Sequence, residues 1–92
     1  MTFEVRFRVE AETDLVEIRK YYLKISESVT DNFFKEFFET LEFIKQAPKP
    51  FQERYRGIRI APLYKFPYGI HYIEKDNQIT ILRVLHYKRY FK

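Results

Sequence analysis

From Ala11 to Ile44 the large apolar residues recur every three or four positions with one interruption, and that rhythm dictates most of the fold. Ala11, Leu15, Ile18, Tyr22 and Ile25 form the stripe of an amphipathic helix. Glu10, Glu12 and Asp14 crowd its start, and Arg19, Lys20 and Lys24 lie towards its end, an order that complements the helix dipole. Ser26-Glu27-Ser28 breaks the pattern, and Ser28, with Asp31 three residues on, suits the N-cap of a second helix. In that helix Val29, Phe33, Phe37, Leu41 and Ile44 make one stripe, which Phe34 and Phe38 widen. Pro48 ends it, because the residue before proline avoids helical geometry, and Pro50 keeps the next segment extended. Two helices joined by about four residues must pack antiparallel as a hairpin.

Such a hairpin needs a surface on which to bury its stripes, and the rest of the chain supplies strands. Phe3, Val5, Phe7 and Val9 alternate with Glu4, Arg6, Arg8 and Glu10, a period of two. Further strands are predicted over 55–61, 66–74 and 79–86. In the second of these, Tyr68, Ile70 and Tyr72 share a face opposite Gly69, His71 and Ile73. The last, ITILRVLH, is apolar on both faces, as a central strand requires, and Asp76-Asn77 marks the hairpin turn before it. The order β-α-α-β-β-β predicts a two-layer α+β domain, with the helical hairpin packed on one face of a mainly antiparallel sheet. Nothing in the sequence covers the other face, which is expected to stay open for a partner.

Ninety-two residues accommodate one domain, 1–92. A chain this short buries only roughly 60–65% of its unfolded surface, and an aromatic content of 20% offsets that. With no cysteine there is neither a disulfide framework nor a thiolate metal site. Charges run through the N-terminal apolar residues and no apolar run spans a bilayer, so a cytoplasmic protein without membrane contact is expected. Charge divides unevenly. Residues 1–46 hold seven Lys/Arg and ten Asp/Glu, a balance of −3, whereas residues 47–92 hold ten and three, a balance of +7. A half this basic suits a polyanion such as RNA or an acidic protein partner.

These pieces have a family likeness. EAETDLVEIRKYY resembles the first helix of the RelE/ParE superfamily of toxins from type II toxin–antitoxin modules, and FFKEFFETLEFIKQAPKP its second. The stretch YRGIRIAPLYKFPYGIHYIEKDNQITILRVLHYKR matches the family's arginine-bearing second strand, an aromatic-Pro-Tyr lead into the third, and a fourth strand ending in His-x-x-Arg, here His86–Arg89. The resemblance implies a growth-inhibiting protein silenced by a cognate antitoxin, which an acidic amphipathic segment would suit, and it leaves a homodimer or a toxin–antitoxin heterotetramer open. Two targets occur in the superfamily: RelE-like members cut mRNA in the ribosomal A site, and ParE-like members inhibit DNA gyrase.

Metal-free RNA cleavage needs a base, an acid and cations around one phosphate. His86 could serve as acid or base, Arg83 and Arg89 could hold phosphate, and Tyr87 or Tyr90 could stack on a base or donate a proton. As partner or target contacts, the candidates are Arg56, Arg59, Tyr68, Arg83, Lys88, Arg89 and Tyr90. Against catalysis, His86 can equally be an edge histidine bonded to backbone, and Arg83, Tyr87 and Tyr90 can be contact or packing residues. His71, mid-strand, reads as structural. With two histidines and two glycines, no Ser/His/Asp grouping, phosphate loop or metal-ligand spacing is present, and no cofactor is called for. One departure weighs on the choice. Many superfamily members carry an arginine in the third strand where this chain has Gly69, which removes a phosphate ligand and predicts a bare patch. Arg56 and Arg59 could compensate. Gly69 tilts the reading towards ParE-like inhibition, with the nuclease as alternative and a non-toxic RNA- or protein-binding module as the third.

Overall fold

A computed structural model describes residues 3–90, with the backbone alone for Arg89 and Tyr90. Strand β1 (Glu4–Phe7) leads into helices α1 (Val9–Leu23) and α2 (Glu27–Gln46). Strands β2 (Glu53–Tyr55), β3 (Ile58–Pro62), β4 (Tyr68–Lys75) and β5 (Gln78–His86) follow, and a short helix α3 (Tyr87–Tyr90) closes the described chain. The strand order is β1-β5-β4-β3-β2, antiparallel throughout except for the parallel pair of β1 with β5. The expected α+β fold is therefore present, with one more strand than the sequence predicts.

The helical stripes do what their spacing demands. Ala11, Ile18 and Tyr22 from α1 and Phe33, Phe37, Leu41 and Ile44 from α2 are buried against Ala61, Ile70, Tyr72, Ile79, Ile81 and Val84 of the sheet. Rings of Tyr22, Phe33, Phe66 and Tyr68 meet mostly edge-on, at 5.3–6.4 Å between centroids, in the geometry favoured by their quadrupoles. Burial pushes the Tyr22 and Tyr72 hydroxyls up to about 12, so both stay protonated donors.

Several local expectations are corrected. The N-cap of α2 is Ser26, not Ser28: its hydroxyl accepts the Val29 N–H at 3.2 Å, and Ser28 lies inside the helix. Ile25 falls in the connection and is exposed rather than part of the stripe. Val9 does not extend β1 either. Arg8 donates its N–H to the Ile81 carbonyl and the chain then turns into α1, which leaves Val9 exposed. The predicted strand over 55–61 divides into β2 and β3 around Arg56 and Gly57, both with positive φ (48° and 75°), the geometry of a tight reversal. Asp76 and Asn77 adopt positive φ as well (54° and 63°) and close the expected β4–β5 turn.

The sheet face away from the helices is not bare. Ile60 and His71, directly paired across β3 and β4, are 4% and 0% exposed. The supposed vacancy at Gly69 is filled too. A Cβ added there would lie 2.8 Å from Ile60 Cγ2 and 3.6 Å from Tyr87 Cε1. The Ile60 methyl occupies the space that a Cβ here would need, and the Tyr87 ring packs alongside at ordinary contact distance.

Candidate functional site

The candidate residues gather around the C-terminal end of β5, and the geometry there starts from a gap in strand pairing. β1 pairs with β5 only as far as Ile81, so the edge of β5 beyond it has no strand partner on that side. Asp14, on α1, fills the gap. One of its carboxylate oxygens accepts the backbone N–H of Val84 at 2.9 Å and the Arg83 Nε–H at 2.8 Å, while the other accepts Arg83 Nη2–H at 2.9 Å. This two-toothed pair is of the stronger, charge-assisted kind. It holds the Arg83 guanidinium protonated, its pKa raised first by the hydrogen bond to Asp14. A bulge aims Arg83: His71 pairs with Arg83 and Tyr72 with Ile81, so Leu82 is the extra residue.

Beside Arg83 lies His71, fully buried, with Nδ1 3.0 Å from the Tyr55 hydroxyl. Burial first, and then the Arg83 cation, push its pKa down to about 4, against a smaller opposing pull from Asp14. His71 is thus a neutral imidazole at ordinary pH, inside the protein. The sequence identified it as structural, and its mid-strand position was the signal. Tyr55 was not singled out, because its pairing with a residue 16 positions away has no local signature.

The remaining candidates diverge. His86 packs edge-on against Tyr68 at 5.2 Å on the helix side of the sheet, and its Nδ1 accepts the Lys88 N–H at 3.2 Å. Tyr87 turns to the opposite face, over Gly69, and donates its hydroxyl to the Leu63 carbonyl at 3.1 Å and its N–H to the Pro67 carbonyl at 2.9 Å. Arg59 fastens the α2–β2 linker, with Nη1 donating to the Phe51 and Lys49 carbonyls at 2.7 and 3.1 Å. Its cross-strand neighbour Tyr72 secures the same linker by donating its hydroxyl to the Pro48 carbonyl. Arg56 is exposed at the β2–β3 turn. The side chains of Arg89 and Tyr90 lie outside the described residues.

His86, Tyr68 and Lys88 line a groove of about 970 Å³, faced by Lys20 and Tyr21 on α1 and by Lys24 just past its end. Ile18, Tyr22 and Val84 make it apolar inside. Its charged lining comprises Lys20, Lys24 and Lys88 against Glu17 and Asp14, and Arg83 already neutralises Asp14. The result is an apolar trough with a cationic rim. Among the described residues no cluster of His, Asp or Glu could hold a metal ion, and no helix is long and apolar enough to cross a membrane.

A helical hairpin on a five-stranded, mainly antiparallel sheet is the architecture of the small toxins that the sequence resembles. The model of the ParE toxins of type II toxin–antitoxin systems (parDE) matches residues 5–91, and the chain belongs to that family, within the RelE/ParE superfamily. Among solved structures, it is similar to a chain of the chromosomal ParDE toxin–antitoxin system from P. aeruginosa. The TM-score is 0.80 and the identity 19%, over 92% of this chain and 96% of that one. It is also similar to a chain of the RelBE2 toxin–antitoxin complex from Mycobacterium tuberculosis, with a TM-score of 0.59 and 21% identity over 94% and 99%. Both likenesses are likenesses of fold. No curated protein matches the chain.

Proposed function

We propose that this toxin arrests growth by ParE-like inhibition of a protein target, DNA gyrase, and not by cutting RNA. The observation that carries this reading is that the candidate catalytic groups among the described residues are engaged by other parts of the fold or face opposite sides of the sheet. Arg83 is held by Asp14, the Tyr87 hydroxyl is donated to Leu63, and His86 faces the helix side while Tyr87 crosses the other. A phosphorane needs its acid, base and cations within hydrogen-bond reach of one centre. The Gly69 position supplies no further cation, and the Ile60 methyl crowds the space a side chain there would need.

The RelE-like alternative draws on one feature, the presence of His86 beside Lys88 and Tyr68 in a cationic groove. Induced expression in a bacterial host separates the two. ParE-like action yields filamentation and DNA-damage signalling with intact mRNA. Rapid translation arrest with cuts mapped to the ribosomal A site would replace this reading with the nuclease.

The same groove suits neutralisation by a cognate antitoxin in the cytoplasm. An apolar trough with a cationic rim complements an acidic amphipathic segment, the two kinds of contact supplying affinity and steering respectively.

A further inference from the structure

A second, shallower groove of about 320 Å³ carries the opposite sign. The β3–β4 connection stands between the two: Pro67 lines the first and Tyr64 the second. Its apolar lining is largely aromatic, with Phe43 from α2, Phe51 from the linker and Tyr64 from the connection. Both charged residues that line it are carboxylates, Glu36 and Glu39.

Tyr64 is unusual in being rigidly carried yet bare. The Tyr64 and Lys65 backbone N–H groups donate to the Glu36 carboxylate, the latter at 3.0 Å, and Leu63 N–H donates to the Tyr68 carbonyl at 2.8 Å. The side chain so positioned is 97% exposed. Phe43 is 59% exposed, and its ring meets Phe51 edge-on at 5.8 Å. With its backbone held, Tyr64 has only two side-chain torsions to order on contact, and tyrosine is a favoured interface anchor. The faces of these rings attract cations, and the two carboxylates add charge of the same sign.

We propose that this groove docks an arginine-bearing segment of a protein partner, the guanidinium stacking on the Tyr64–Phe43 rings and pairing with Glu39. Arginine suits it better than lysine, because a planar guanidinium can stack and form a forked carboxylate pair at once. The partner is distinct from an acidic segment in the first groove, so the toxin has two docking surfaces of opposite charge.

The test is a titration of the ¹⁵N-labelled full chain with acetyl-Gly-Arg-Gly-amide, followed by amide chemical shifts, with the neutral citrulline peptide as control. The arginine peptide should produce saturable shifts at Thr40, Phe43 and Tyr64, with an apparent Kd on the order of millimolar. Tyr64→Ala and Glu39→Gln should each weaken binding by roughly two- to fivefold while leaving the rest of the spectrum unchanged. Equal response to the citrulline peptide, shifts scattered elsewhere or absent, or affinity unchanged in both variants would overturn the proposal. The readout is binding at one groove, so it is independent of whether growth arrest runs through gyrase or RNA.

Discussion

At the scale of single residues, His71 and Gly69 carry the most consequence. The folded His71 pKa, about 4, lies below the 6.5 of the exposed side chain, so between those values the unfolded chain binds the extra proton. Stability should therefore rise with pH from about 4 to about 6.5 and then level off, by on the order of 3 kcal/mol. Urea unfolding across that range checks it, and His71→Gln should flatten this part of the profile. A stability that falls over the interval would contradict the assignment. For Gly69→Arg, the Cβ alone meets Ile60 Cγ2 at 2.8 Å, so overpacking should cost about 2 kcal/mol, and restoring the family's arginine should not create RNA cleavage. Pairing it with Ile60→Ala should recover part of the loss. A fully stable Gly69→Arg single variant would show that the site yields more easily than its contacts indicate. The sequence pointed to Gly69 as a vacancy because it exposes a missing side chain but not the neighbours that take its place.

Among the elements, the end of β5 depends on α1. Asp14 accepts the Val84 N–H and one N–H each from Arg83 Nε and Nη2 at the point where β1 stops pairing. Asp14→Ala leaves a part-buried backbone donor and a guanidinium without that carboxylate, and should cost about 2 kcal/mol. Hydrogen exchange should localise the loosening to β5 beyond Ile81 and spare β1. Ser26→Ala should remove the α2 cap at a cost of about 1 kcal/mol, whereas Ser28→Ala should be near neutral, since only Ser26 caps. The helical hairpin was legible because its periodicity is local. The β2–β3 turn was not, because Arg56 at positive φ looks like any strand residue in sequence. Nor were the Leu82 bulge or the Asp14–Arg83 pair, which joins residues 69 apart and depends on how far β1 pairs.

Across the whole molecule, the charge division seen in the sequence resolves into two grooves rather than two halves. Lysines from both halves, Lys20 and Lys24 on one side and Lys88 on the other, rim the first groove, and acidic residues of α2 line the second. The share of Lys20 and Lys24 in that rim is hidden in a half-by-half charge balance, because acidic residues outnumber basic ones over 1–46. Association with an acidic antitoxin should slow as salt screens this rim. Stopped-flow rates at several ionic strengths report it, and a rate insensitive to salt would remove the groove as the docking surface. His86→Ala should leave growth inhibition largely intact, since His86 and Tyr87 face opposite sides of the sheet and Arg83 is already paired with Asp14. The mode of action is read most directly from DNA supercoiling by purified gyrase in the presence of increasing amounts of this protein. Gyrase inhibition requires dose-dependent loss of supercoiling that the cognate antitoxin reverses; undiminished supercoiling, together with A-site mRNA cuts by the same preparation on ribosomes, would rule it out.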